Sequence, residues 1–529
     1  MEKNTSVPTE SPPVSPSSSV DSDGEDLSLF EKKCLLINRE TDGNGMGKYQ
    51  WYVWFLCGFG YLLDLLWAQA FGLILQPLEQ ELGFSGDKSG NISVAFSAGL
   101  TAGAFVWGVL VDIIGRKWAF NLTCFITAVF GLGLGGCNTY TAFLVVTAFT
   151  GFGIGGNIPI DTTICLECIP QDRRFMLALL SIFQPIGVVI TSVLAYAYIP
   201  NFSCSPNFSE KNPLPSCNNV ADGQACCTKD SNMGWRYLMF TLGAITLAVF
   251  LARSVIFRFK ESPKFLVARG RDRQAVEVLQ SIAKMNERSC SVTLSEFEEL
   301  NAQHKISRGI TQQDEEKTKT WGDRFAEEGL RYRELFKDWQ MTRLTVLVWI
   351  TYACDFWGFT LAGTYLPSIL AIKNSEINLT LQHTYRSYIA IYAPGIVGVV
   401  VGSMMYGVPT IGRKLAMVIS SGLMGASIFI FSTVNSEASN IGLNAMEYFF
   451  QSMFNAVLYG WTPEAFPAPI RGTACGIAAF WGRLFSILAP LIAQSKIPTS
   501  GLADNPESIN TVLYVEHLNL KRAKLTFFL

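Results

Sequence analysis

The sequence predicts an all-α polytopic membrane protein built from two helical bundles, and three observations predict it. Apolar windows near the ~20 residues that cross ~30 Å of hydrocarbon recur in series from residue 50 onward. Only 16% of the 529 residues are charged and 49% are hydrophobic, whereas a soluble chain carries about 25% charge. Acidic residues stand singly inside those apolar windows, where an unpaired charge is costly and is kept for a function or a partner.

In chain order, residues 1–47 are rich in Ser, Pro, Asp and Thr and are expected to form a disordered cytoplasmic tail. Ser11-Pro12 and Ser15-Pro16 are phosphorylation candidates there, against the plainer reading of a solvated Ser/Pro tail. Glu31-Lys32-Lys33-Cys34-Leu35-Leu36 resembles an acidic dileucine sorting signal, a short pattern that chance also produces. The first 44 residues are polar, so no cleavable signal peptide is expected among them. Spans are expected at 50–76, 90–113, 118–137, 141–167, 175–199, 235–257, 343–371, 386–408, 414–434, 440–461 and 472–494. Each must be helical, because lipid cannot satisfy a backbone amide. Residues 258–341 form a polar insert in which Ala275 to Ala283 has the spacing of a short amphipathic helix, one of one or two expected there. The insert separates a first bundle, 48–257, from a second, 342–515.

Basic residues set the orientation. Arg116-Lys117, Arg173-Arg174, Arg413-Lys414 and Arg471 fall in alternate short loops, on the same side as the insert, so that side is expected to be cytoplasmic. The opposite face receives the loop 200–234, with the glycosylation sequons at Asn201 and Asn207, and a third sequon at Asn378. Cys204, Cys217, Cys226 and Cys227 crowd that same loop, and two disulfides are expected, with the three connectivities left open.

The two groups of helices repeat each other. Tyr61-Leu62-Leu63-Asp64 matches Tyr352-Ala353-Cys354-Asp355 in the first helix of each. Gly115-Arg116-Lys117 matches Gly412-Arg413-Lys414, and Glu167-x-x-Pro170 matches Glu464-x-x-Pro467. A parallel repeat with a site at its interface is the architecture of a secondary transporter. Gly108 to Lys117 (GVLVDIIGRK) resembles the signature loop of the major facilitator superfamily, and Glu261 to Leu266 (ESPKFL) resembles a sugar-porter signature, with Lys260 in place of its usual first Pro. GFGIGGNIPIDTTICLECIP and WTPEAFPAPIRGTACGIAAFWGRL are similar to fungal relatives of the synaptic-vesicle-glycoprotein-2 and organic-solute branch. The resemblance implies the major facilitator fold of two six-helix bundles. It also implies that Asp112, Arg116, Glu167, Glu464 and Arg471 make charge contacts at the cytoplasmic ends that latch the halves. Arg116, Lys117, Arg413 and Lys414 also serve topology alone, and the two roles are compatible. A twelfth helix should follow, with Thr511 to Val515 as its first turns, but 516–529 is charged and cannot span, so a truncated last helix is expected.

Candidate solute- or proton-binding residues are Asp64, Asp161 and Asp355, with interhelical bonding as their alternative role. Asn157 shares a helix face with Asp161, and Gln451, Asn455 and Tyr459 repeat that spacing. They form either the wall of a cavity or polar glue between helices. Arg483, a cation within the eleventh span, tilts the solute toward an organic anion. Gly151, Gly153, Gly155 and Gly156 follow no strand and serve helix packing rather than a dinucleotide. Net charge is −2, which argues neither for a nucleic-acid partner nor for an acidic one, and no nucleic-acid partner is expected. The histidines and cysteines lack metal spacing, and no nucleophile or cofactor constellation points to an enzyme. The expected protein is a monomeric secondary active transporter working by alternating access, moving a carboxylate or polyol/sugar-like solute with protons. Its expected location is the plasma membrane, with a vacuolar or endosomal membrane as the alternative. Other readings are a facilitated sugar uniporter and a non-transporting receptor or scaffold.

Overall fold

Each apolar window becomes helix, and the polar punctuation between windows becomes the turns. The computed structural model describes residues 29–84, 88–173, 175–210, 212–221, 223–256, 260–308, 333, 335–376, 380–408, 412–433, 436–466 and 471–494. The first group of helices is α1 Leu29–Asn44, α2 Lys48–Leu82, α3 Asn91–Ile114, α4 Arg116–Leu134, α5 Tyr140–Ile154, α6 Asn157–Cys168, α7 Phe175–Leu179, α8 Phe183–Tyr198 and α9 Gly234–Leu251. The insert supplies α10 Pro263–Ala268, α11 Asp272–Met285 and α12 Leu294–Arg308. The second group is α13 Trp339–Glu376, α14 Leu381–Tyr392, α15 Pro394–Gly407, α16 Gly412–Thr433, α17 Glu437–Ala465 and α18 Arg471–Gln494. Among the described residues, nine helical stretches are long and apolar enough to cross a membrane. The chain is therefore a multi-pass membrane protein. Residues 495–529, including the expected start of a twelfth helix, lie outside the described residues.

α2 sets the frame. Its 35 residues extend about 50 Å at 1.5 Å per residue, so its ends lie on opposite faces. At one end the backbone N–H of Tyr49 donates to Asn286 at 2.9 Å, and Lys48 pairs with Glu287 at 2.5 Å. That pairing holds the exposed Glu287 carboxyl below its usual range. At the other end Glu81 pairs with Arg236 at 2.7 Å, and Gln80 donates to the carbonyls of Pro206 and Leu214 at 3.0 and 3.2 Å. α2 thus outruns the expected 50–76: Pro77 sits within the helix, and its polar last turn is bound by the 200–233 loop. In that loop Cys204 pairs with Cys227, and Cys217 with Cys226.

α1 departs from the expectation of a disordered tail. Its buried positions Lys33, Ile37, Glu40 and Asn44 recur every three or four residues, and Ile37 joins an apolar cluster with Leu266, Val276, Leu279 and Phe297. Lys33 pairs with Asp272 at 2.6 Å, while Glu40 accepts from Ser291 N and Oγ at 3.0 and 2.6 Å. A composition average over 47 residues conceals this single amphipathic stretch. The insert likewise gives three described helices where one or two were expected.

Helix contacts inside the first group are made through glycine. A Cβ on Gly103 meets the carbonyl oxygen of Phe152, and one on Gly155 meets that of Leu100, so α3 and α5 lie backbone to backbone. Gly103→Ala should therefore destabilise the protein by about 1–3 kcal/mol, whereas Gly442→Ala, where a Cβ meets nothing within 4 Å, should not. Thermal unfolding in detergent checks this, and equal melting temperatures for the two variants contradict the packing.

Candidate functional site

Asp64 and Asp355 owe their positions to the tyrosine one turn before each. The Tyr61 hydroxyl lies 2.7 Å from Thr162 Oγ1 on α6, and the Tyr352 hydroxyl donates to Thr462 Oγ1 on α17 at 3.2 Å. Each bond ties its helix to a neighbour in the same group and so fixes its rotation, and the acid stands three residues further on. Both acids line one cavity between the two groups of helices, together with Gln69, Asn455, Tyr459 and Arg483. About 70 Å³ of it is open to water centres, several times the roughly 10–15 Å³ that one water needs. The lining includes Ser89, Ile92, Ser93 and Phe96 at the start of α3, so the cavity extends toward the disulfide-bearing face.

Two contacts organise its polar floor. With its amide oriented to donate, Asn455 N lies 2.8 and 3.0 Å from the two carboxylate oxygens of Asp355. Arg483 is buried, and its Nη1 donates to the carbonyls of Leu100 at 3.0 Å and Gly155 at 2.8 Å. The break between α5 and α6 at Gly155 and Gly156 leaves end carbonyls that the helix itself does not use. A cation from the second group of helices is thus held by the first, and its charge also acts on Asp64.

Other candidates lie elsewhere. Asp161 does not line the cavity; it pairs with Arg253 at 3.1 Å, both side chains fully buried. Arg253 sits on the π-helical turn Ala252–Ile256, and also donates to Leu56 O at 2.7 and 3.2 Å. Asn157 is buried beside neither cavity, with its amide unpartnered among the described residues. Gln451 lines a second, smaller cavity, and Asn455 lines both.

At the basic face, Arg116 pairs with Glu167 at 2.8 Å and Arg413 with Glu464 at 2.6 Å. Each pair lies inside one group of helices, not across the two as the latch implied by the resemblance requires. The reason is the repeat: the same glycine-arginine turn meets the same fourth-helix acid in each group. Gly115 at φ +96° and Gly412 at φ +62° make these turns in the left-handed region that favours glycine. Glu261 adds a link, accepting from Arg116 N at 3.2 Å and Lys117 N at 3.4 Å. Lys117 and Lys414 are exposed. The side chains of Asp112 and Arg471, and Asn378 as a whole, lie outside the described residues. Asn201 is exposed, and Asn207 is held by Glu210 at 2.8 Å.

Arg253, Gln69 and Glu447 escape a reading of the sequence that singles out acids only in the first, fourth and seventh spans. For Arg253 the available signal was a second cation, after Arg236, in the sixth span. For Glu447 it was a carboxylate in the tenth.

A transmembrane carrier of two helical groups about a central polar cavity is the class that this arrangement defines. The model of the Major Facilitator Superfamily matches residues 57–490, and the chain belongs to that family. It is 36% identical over 468 residues to MFS siderochrome iron transporter 1 of Ceriporiopsis subvermispora, covering 88% of this chain and 85% of that one. It is 24% identical to the niacin transporter NiaP of Acinetobacter baylyi, covering 84% and 87%. The proton:xylose symporter XylE, solved with 6-bromo-6-deoxy-D-glucose, shares the fold at a TM-score of 0.63 and 16% identity, over 90% of this chain and 94% of that one.

The Asp161–Arg253 pair yields a test. Removing one partner strands a buried charge, so Arg253→Met alone should cost about 3–5 kcal/mol, while Arg253→Met with Asp161→Asn should recover most of it. Melting temperatures of the single and double variants decide it. A double variant no better than the single one contradicts a structural pair.

Proposed function

We propose that the chain carries a small organic solute with an anionic group, such as a carboxylate, coupled to protons and working by alternating access. The observation that supports this most is the joint presence of Asp64, Asp355 and Arg483 on one cavity between the helical groups. Arg483 supplies a cation for an anionic group, and two acids with access to water supply sites for protons. In this reading the basic face, with α1 and the insert, is cytoplasmic, the disulfide-bearing face is outside, and the glycosylation sequons follow it. The protein acts as a monomer in the plasma membrane, with a vacuolar or endosomal membrane as the alternative. The niacin relative carries a small aromatic carboxylic acid by name, and nicotinate is accordingly the first solute to try. The sugar-porter stretch Glu261 to Leu266 gives a uniporter reading no help. Glu261 binds the start of α4, and Leu266 packs in the insert cluster, away from the cavity.

Reconstitution in liposomes with a panel of labelled carboxylates, nicotinate first, tests the proposal. Uptake should follow an imposed proton gradient, and Asp64→Asn with Asp355→Asn should lower it at least about tenfold, the scale of roughly 1.4 kcal/mol. Flux that ignores the gradient, or that survives in the double variant, contradicts coupling through these acids.

A further inference from the structure

α17 is 29 residues long, yet it is not among the nine stretches apolar enough to cross a membrane. A buried polar stripe dilutes it: Asn440, Asn444, Glu447, Gln451 and Asn455 recur every three or four residues, all at or below 7% exposure. Such a stripe inside a membrane helix needs partners, and several of its atoms have none. Both amide atoms of Asn440, and Oε1 of Gln451, are unpartnered among the described residues. The stripe starts at the disulfide-bearing face, where Glu437 meets His383 at 3.3 Å with both side chains 38% exposed. It ends at Asn455, on Asp355. Glu437 and Asn455 are eighteen positions apart, about 27 Å along the helix.

Glu447 is the one carboxylate within the stripe, and no cation is set against it among the described residues. The titratable groups facing it are Tyr392 from α14 and Tyr448 of its own helix. α7 and the turn after it, α13, α15, α16 and α18, also packed on α17, bring it no charged group among the described residues. Gln451, one turn on from Glu447 on the same stripe, lines the second cavity, and Asn455, a further turn on, lines both cavities. Between Glu447 and Asp355 lies the second cavity, of about 10 Å³, lined by Tyr448, Gln451, Ser452 and Asn455. That is room for about one water with several polar partners.

We propose that Glu447 is a second proton-carrying acid, which passes protons between the disulfide-bearing face and the central cavity. This rests on the proton-coupled reading above. Glu447 takes a proton from water near His383 and Glu437. It hands a proton along the stripe to water in the small cavity lined by Gln451 and Asn455, and that water releases one toward Asp355, so that no bond other than O–H is made or broken. A buried acid without a cation partner suits this task, because its neutral form needs no counter-charge.

The test needs no identified solute, since the probe is the proton. Infrared difference spectra of the full chain in nanodiscs, taken on lowering the pH, should show carboxylic acid C=O components. One should be lost in Glu447→Gln, kept at a shifted frequency in Glu447→Asp, and distinct from the one lost in Asp355→Asn. A Glu447→Gln spectrum identical to the parent, with the Asp355 component present, overturns this inference alone. Absence of the Asp355 component as well overturns the proton-coupled reading beneath it. Should Glu447→Gln fail to fold, Glu447→Asp decides: an unshifted spectrum counts against the proposal.

Discussion

A guanidinium buried in the middle of a membrane bundle cannot stand alone, and the way Arg483 is satisfied constrains the rest of this molecule. It reaches from α18 to two backbone carbonyls of the other helical group, Leu100 and Gly155. Those carbonyls are presented by the α3–α5 pair, which glycine brings backbone to backbone, and by the helix break at Gly155 and Gly156. Small residues, a broken helix and a distant cation are therefore one device. A bond made across two helical groups by a single side chain can also be unmade, which is what motion of one group against the other requires.

Around that contact the buried charges divide by what they touch. Asp161 is consumed by Arg253, which also holds the carbonyl of Leu56 and lies over Phe120. This pair ties α2, α4, α6 and the end of α9 into one unit. Asp64 and Asp355 are instead left on the cavity, one under the influence of Arg483 and the other held by an amide. At the basic face, Arg116–Glu167 and Arg413–Glu464 close a corner within each group. Charge pairs thus close each group internally, and among the described residues the bonds of Arg483 to Leu100 O and Gly155 O join the two groups.

Much of this is written in the sequence. The expected spans fall on described helices, with 141–167, 175–199 and 386–408 each crossing a break, because a segment of ~20 apolar residues has few other structures in lipid. The repeat told which acids correspond, and Asp64 and Asp355 do meet on one cavity. What was not legible follows from scale. α1 is sixteen residues of weak amphipathicity whose partner is an insert more than 200 positions away. The pairing of Asp161 needs Arg253, 92 positions on, turned inward by a π-helical turn that no local pattern announces. Asn157 and Asp161 do share a face, as helical spacing demands, but the face points into the first group and not into the cavity.

The central claim is that water reaches one cavity by turns from either side of the bilayer. Thiol labelling of Ser97→Cys, on the cavity wall contributed by α3, tests it directly in a background where the nine described cysteines outside the disulfides are replaced. Membrane-impermeant reagent applied to vesicles of either orientation should label this position from both sides, and excess solute or a change of pH should shift the balance. Labelling from neither side, or from one side only under every condition, would contradict alternating access through this cavity.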